Sequence, residues 1–212
     1  MNGFLDSTLL KSFSTKDDIK KLCLDAIKYR FATVCINPCY VSYAHELLNG
    51  SGVEICTVIG FPLGANTTDV KVYEAKEAIS NGASEIDMVI NVGFLKDKDY
   101  QYIISEISAV KNAISGNTLK VIIETCYLDD DEIKKMTEIC NDTEVDFIKT
   151  STGFGTRGAS LNDIELINKY KNKKLKVKAS GGIKTREDAK KYIELGVNRI
   201  GTSNAVNMME EK

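Results

Sequence analysis

The chain is short of several residues that common chemistries need. It has one histidine, His45, two prolines, Pro38 and Pro62, and no tryptophan. His45 lies in the helix-like stretch 41–48 with no constellation around it, so it reads as a surface residue and not as a catalytic one. The six cysteines, Cys23, Cys35, Cys39, Cys56, Cys126 and Cys140, form no Cys-x-x-Cys pair. Most sit inside apolar patterns, where a reduced thiol acts as a small hydrophobe. The sequence therefore offers no metal-ligand cluster, and neither a metal nor another cofactor is expected. Charge of one sign is also missing. The 28 basic and 30 acidic side chains are interspersed and leave a net charge of −2. Without a basic stripe, neither nucleic acid nor a membrane surface is expected as a partner. No apolar run reaches transmembrane length. The first six residues, Met1 to Asp6, lack a secretion signal, so a cytoplasmic protein is expected.

What is present is an ordinary globular composition, 43% hydrophobic and 27% charged over 212 residues. That suffices for one well-cored domain over residues 1–212. Apolar runs of strand length begin near Gly3, Phe31, Glu54, Glu85, Leu119, Val145, Leu175 and Asn198. Each is followed by a helical pattern. Thr15 with Asp18 reads as a capping box before the stripe Ile19, Leu22, Cys23, Ala26 and Ile27. Asp69 is the expected cap of a helix reaching Asn81, with Gly82 as its stop. Thr185 with Asp188 opens a later helix. Runs such as 32–36, 56–59 and 119–123 read as apolar on both faces, as in a parallel sheet covered by helices. Eight such units without a composition break predict a single-domain (β/α)8 TIM barrel. A doubly wound open sheet is the alternative.

Two lysines break this apolar pattern at strand ends. Lys149 ends 146–149 and Lys178 ends 175–178, and each precedes a loop of small residues. A lysine inside a buried strand is costly unless its charge is relieved or used. Two on nearby strands repel, and burial adds to that. Both effects favour the neutral amine, the nucleophilic form that attacks a carbonyl to give a Schiff base. In such barrels the site is built from the carboxyl ends of the strands. Those ends also carry Asp6 and Thr8, Asn37, Asp87 with Val89 and Asn91 in phase, and Glu124. The loops with Thr152 and Gly153, with Gly181 and Gly182, and from Gly201 to Ser203 can hold a phosphate on backbone N–H groups. Lys149, Lys178 and Asp87 are thus the candidate catalytic residues of a Schiff-base reaction on a phosphorylated carbonyl compound. Taken singly, each feature has a plainer reading. A strand-terminal lysine can simply reach solvent, as expected for Lys176 at the opposite mouth, and Gly181-Gly182 can be only a tight turn. Their joint placement favours catalysis.

The stretches 6–11, 34–38, 56–66, 85–91, 120–125, 147–155, 177–183 and 199–203 together resemble the deoxyribose-phosphate aldolase family, class I aldolases of (β/α)8 fold. The resemblance implies reversible cleavage of the sugar phosphate 2-deoxy-D-ribose 5-phosphate to acetaldehyde and D-glyceraldehyde 3-phosphate, without a metal. It implies that Lys149 forms the Schiff base, that Lys178 eases its deprotonation and that Asp87 relays protons. Asp6 and Thr8 match positions lining the site near the second lysine. Three departures stand out. Ser7 replaces a frequent histidine. Arg157 replaces a frequent glycine and either adds a cation near the phosphate or lies on the loop surface. The final stretch 208–212 brings no tyrosine to the site. Another sugar-phosphate aldolase or transaldolase is the alternative enzyme, and a silent phosphometabolite-binding barrel is the non-enzymatic one. The residues specify no oligomeric state; a homodimer is the assembly considered.

Overall fold

The computed structural model describes residues 1–211; Lys212, at the end of the final stretch just named, lies outside the described residues. Eight parallel strands close into a barrel in chain order: β1 (Leu5–Leu9), β2 (Thr33–Ile36), β3 (Glu54–Ile59), β4 (Glu85–Val89), β5 (Thr118–Ile122), β6 (Phe147–Lys149), β7 (Lys176–Ser180) and β8 (Arg199–Thr202). β8 pairs back onto β1, with Leu5 beside Ile200, so the open doubly wound sheet is excluded. Helices α1 (Lys16–Tyr29), α2 (Val41–Leu48) and α3 (Thr68–Ser80) follow the first three strands. Both α4 (Val92–Lys96) and α5 (Tyr100–Ala113) follow β4. Helices α6 (Asp130–Asp142), α7 (Leu161–Tyr170), α8 (Arg186–Glu194) and α9 (Ala205–Glu210) complete the ring. No helix among the described residues is long and apolar enough to cross a membrane.

Local signals explain most boundaries. Both halves of the Thr15–Asp18 capping box form, and Thr185 accepts the Asp188 N–H. Asp69, expected as a cap, lies instead in the first turn of α3, and Thr67 is the cap residue. There its charge favours the positive end of the helix dipole. The second helix after β4 arises because Asn91 accepts the Phe94 N–H and opens the short α4, while Asp99 accepts the Tyr102 N–H and opens α5. Asn91, expected among the strand-end site residues, is thus engaged in capping.

The strands alternate between two environments. Val34, Ile36, Ile86, Met88, Val121, Ile148, Val177 and Ile200 join the large core shared with the helices. Barrels of this fold usually fill their interior with branched apolar side chains. This interior holds a small apolar cluster of Leu10, Cys35, Cys56 and Val58 beside a group of charged side chains. Asp6, Glu85, Asp87, Lys120, Lys149, Lys178 and Arg199 meet there in ion pairs. The reading of β5 as apolar on both faces is therefore corrected at Lys120, whose fully buried side chain turns inward.

Candidate active site

Asp87 is the hub. Its Oδ2 accepts hydrogen bonds from Lys149 Nζ at 2.7 Å and from Lys178 Nζ at 2.8 Å. Its Oδ1 accepts from Lys120 Nζ at 2.8 Å and from the Cys56 thiol at 3.1 Å. Strand register brings these groups together. Asp87 stands beside Lys120, Lys149 beside Lys178, and Lys178 beside Arg199. A second rank of carboxylates neutralises the lysines. Lys178 Nζ lies 2.5 Å from Asp6 Oδ2, and Lys120 Nζ lies 2.5 Å from Glu85 Oε2. Arg199 joins that rank across the barrel, at 2.6 Å from Asp6 and 3.1 Å from Glu85. The Phe147 ring faces Lys120 Nζ at 6.0 Å and the Arg199 guanidinium at 5.9 Å, within cation–π range.

This network decides which groups carry charge. Burial alone would raise the Asp87 carboxyl, but Lys120, Lys149 and Lys178 outweigh it and hold it well below the usual range. Burial likewise opposes the charge of Asp6, yet Lys178, Lys120 and Arg199 bring that carboxyl down to about 2. Burial would lower Lys178, but Asp6 and Asp87 push it well above its ordinary value. Lys120 is raised against burial mainly by Asp87. The expectation that burial and repulsion favour the neutral form of both strand-end lysines therefore fails for Lys178, which its two carboxylates hold toward the ammonium form.

The two depressed carboxyl groups link this cluster to folding stability. The Asp6 contribution is fully present above its ordinary value of 3.8 and is lost as pH falls through about 2. Asp87 works in the same direction. Urea unfolding midpoints should therefore drop steeply between pH 4 and pH 2, and Asp6→Asn should flatten that drop. Parallel pH dependences for wild type and variant would mean that Asp6 pairing adds nothing.

A cavity of about 290 Å³ opens over the cluster at the carboxyl ends of the strands. Thr8, Thr152, Gly153, Gly181, Gly182, Gly201 and Ser203 all line it, as their sequence positions suggest. Asp6 does not. It is fully buried behind Lys178, the second lysine that the resemblance places it near, and pairs with that lysine away from the cavity wall. Of the seven inward charged residues, only Lys149 lines the cavity. Its side chain is 3% exposed, whereas those of Lys120 and Lys178 are at 0%. Gly153, Gly181 and Gly182 have φ of 89°, 80° and 79°, left-handed turns that present bare backbone to the cavity. Ser203 does not open the last helix, whose cap residue is Asn204.

Two basic residues that sequence reasoning did not single out, Lys11 and Lys184, also line the cavity. Arg157 does not. It pairs with Asp163 at 2.6 Å and donates to the Thr125 carbonyl, stapling its own loop. Ser7 also stays off the cavity. Glu124, buried at a left-handed φ of 53°, accepts the N–H and the hydroxyl of Thr152 and so fixes the loop after β6. Across Thr152 and Phe154 lies a second cavity of about 250 Å³, walled by Pro62, Leu63 and Tyr127. A larger one of about 560 Å³ lies at the other end of β6 and β7, near Val145 and Leu175, and contains none of the cluster.

One trio of metal-type ligand atoms does come together among the described residues: Cys35, Cys56 and Asp87, within 4.8 Å of one another. Asp87 already accepts hydrogen bonds there from three lysine side chains, and the raised Lys120 and Lys178 place two positive charges where a cation would have to enter.

A chain with this sequence and this closed parallel barrel has counterparts among known proteins. The model of the DeoC/LacD family aldolase matches residues 5–205. The chain belongs to the DeoC/LacD aldolase family. The aldolase is 51% identical to deoxyribose-phosphate aldolase of Caldanaerobacter subterraneus subsp. tengcongensis over 98% of this chain and 91% of the relative. It is 52% identical to deoxyribose-phosphate aldolase of Clostridioides difficile, over 98% and 94% of the two chains. Among solved structures, the aldolase QR15 superposes with a TM-score of 0.95 at 41% identity, covering 99% of this aldolase and 94% of that chain. The deoxyribose phosphate aldolase of Aeropyrum pernix, described as a unique tetramer, gives 0.91 at 33% identity over 99% and 89%.

Proposed function

We propose that this aldolase cleaves 2-deoxy-D-ribose 5-phosphate reversibly, through a Schiff base on Lys149, to acetaldehyde and D-glyceraldehyde 3-phosphate. The observation that carries the assignment is that Lys149 alone of the buried charged residues reaches the cavity. Charge balance supports it. Lys120, Lys178 and Arg199 match Asp6, Glu85 and Asp87 in number, so the cluster is neutral when Lys149 is an uncharged amine.

That amine adds to the C1 aldehyde of the open-chain sugar, and loss of water leaves an iminium ion. The iminium withdraws the electron pair as the C2–C3 bond breaks and the C3 hydroxyl gives up its proton. Glyceraldehyde 3-phosphate leaves, and the remaining enamine is protonated at C2 and hydrolysed to acetaldehyde. Asp87 Oδ2 faces both Lys149 and Lys178, so one oxygen can take a proton from the reacting nitrogen and return it while the Lys178 ammonium steadies the carboxylate. Lys178 also keeps a positive charge beside Lys149, which disfavours a second one there.

The phosphate is held where Gly153, Gly181, Gly182 and Ser203 line the cavity, with Lys11 and Lys184 as its cations. Lys184→Met is expected to raise KM for the phosphorylated sugar about tenfold, the effect of one charge-assisted contact. It should leave the slow cleavage of unphosphorylated 2-deoxyribose as it was. Equal damage to both substrates would move the phosphate elsewhere. We read the barrel as the one catalytic domain, working as a homodimer in the cytoplasm, where its free thiols stay reduced; light scattering tests the dimer.

The deciding experiment on the nucleophile is borohydride trapping with acetaldehyde, read by peptide mass spectrometry. The ethyl group should appear on Lys149. Recovery on Lys178 or Lys120 with Lys149 unmodified would reverse the assignment.

A further inference from the structure

The last register pair between β3 and β4 joins Ile59 to Met88. Beyond it β3 turns away at Gly60 (φ 58°) into the 60–64 loop, while β4 continues to Val89. Ile90 N–H already points to β5, where the Ile122 carbonyl accepts it. The Val89 carbonyl and the Asn91 N–H, on the alternate side, are left facing the place that β3 has vacated. In a parallel ladder one residue of the neighbouring strand would serve both groups. Here two side chains do so. Lys71 Nζ, from α3, donates to the Val89 carbonyl at 2.9 Å. Glu106 Oε2, from α5, accepts the Asn91 N–H at 3.3 Å. The two side chains join each other through Lys71 Nζ and Glu106 Oε1 at 2.7 Å, both fully buried.

The surroundings are built for this passage. A Cβ at Gly60 would stand 2.7 Å from Lys71 Cε, so only glycine lets the lysine run beneath the turn. Glu74 accepts the Gly60 N–H at 2.8 Å and closes the end of β3. A buried ion pair is not by itself a stabilising choice, since an apolar pair of similar volume often does as well. Burial lowers Lys71 and raises Glu106, each toward its neutral form, against their mutual attraction. An apolar pair, however, could not satisfy the two backbone groups.

We propose that the Lys71–Glu106 pair is a positioning device for Asp87: it replaces one missing residue of β3, and so fixes the end of β4 from which Asp87 projects into the lysine cluster. Asp87 lies two residues before Val89 on the same strand face. The inference rests on the reading of Asp87 as the proton relay. The phosphate loops follow β6, β7 and β8 and do not touch the pair.

The test uses Lys71→Met and Glu106→Gln in the full chain. The rate is normalised to the fraction of Lys149 that borohydride traps with acetaldehyde. In Lys71→Met, kcat per trapped site should fall about a hundredfold, the scale that a misplacement of about 1 Å brings. KM for the sugar phosphate should stay within about twofold, because that binding lies on other strands. Glu106→Gln keeps the shape of the side chain and its bond to Lys71, and should show a smaller loss of kcat at unchanged KM. The pH optimum should not move in either variant, because the charges around Lys149 are intact. An unchanged kcat per trapped site, even with a lower melting temperature, would reduce the pair to a structural role and overturn the proposal. So would a loss expressed in KM alone. Should Lys71→Met fail to fold, Glu106→Gln decides by the same criteria. Absence of trapping in the wild type would instead refute the Schiff-base reading, so the two failures are distinct.

Discussion

Lys149→Arg is expected to abolish cleavage of 2-deoxy-D-ribose 5-phosphate while leaving the barrel folded. Arginine still places an N–H donor within reach of Asp87, so the hydrogen-bond partner that Lys149 gives that carboxylate survives. A guanidinium remains protonated and cannot add to an aldehyde, so no imine forms. Loss of activity with an unchanged melting temperature separates chemistry from stability. The same substitution at Lys120 makes a useful contrast. Lys120 lies on the other Asp87 oxygen and does not reach the cavity, so Lys120→Arg should retain borohydride trapping on Lys149. Residual turnover in Lys149→Arg beyond that of a mock preparation would show that another amine can take over.

The second large effect belongs to Lys178. Its ammonium is held by Asp6 and Asp87, which push it well above its ordinary value. Lys178→Leu removes that charge from beside Lys149. A lost neighbouring cation makes an ammonium harder to deprotonate, by roughly tenfold to thousandfold in the free-amine fraction. Cleavage at neutral pH should therefore fall by a similar factor and recover in part as the pH is raised, because hydroxide then strips the proton that Lys178 no longer discourages. The measurement is kcat against pH for both proteins. A variant curve parallel to wild type, displaced only downward, would leave Lys178 with a role in proton transfer but none in charge control. Arg199 makes the variant more informative, since it still pairs with Asp6 and limits the structural damage.

The fold was legible because its signals are local. Strand-length apolar runs, the Thr15–Asp18 box and the Thr185 cap each report on a few neighbouring residues, and eight repeats of the unit leave a closed barrel as the natural solution. Lys149 and Lys178 were legible because a lysine at the end of a buried strand is out of place. Lys120 breaks β5 in the same way and was passed over, since it sits inside the run and not at its end. Glu85 and Arg199 were hidden for another reason. They begin their strands, where charge is ordinary, and only register shows that they meet across the interior. Asp6 was placed near the second lysine, where it lies, but not behind it, because sequence cannot distinguish a group on a cavity from one behind it. Lys11 and Lys184 carry no pattern at all; each is one lysine in a loop until the cavity brings them together.

The charged barrel interior also constrains how this sequence can drift. Opposite charges there are matched nearly one for one, and each carboxylate serves two or more cations. Losing one member strands its partners in a place water does not reach. Neutral change at these positions must therefore come as paired replacements, such as Glu85 together with Lys120, whereas the outward Ile and Val residues of the same strands can exchange singly.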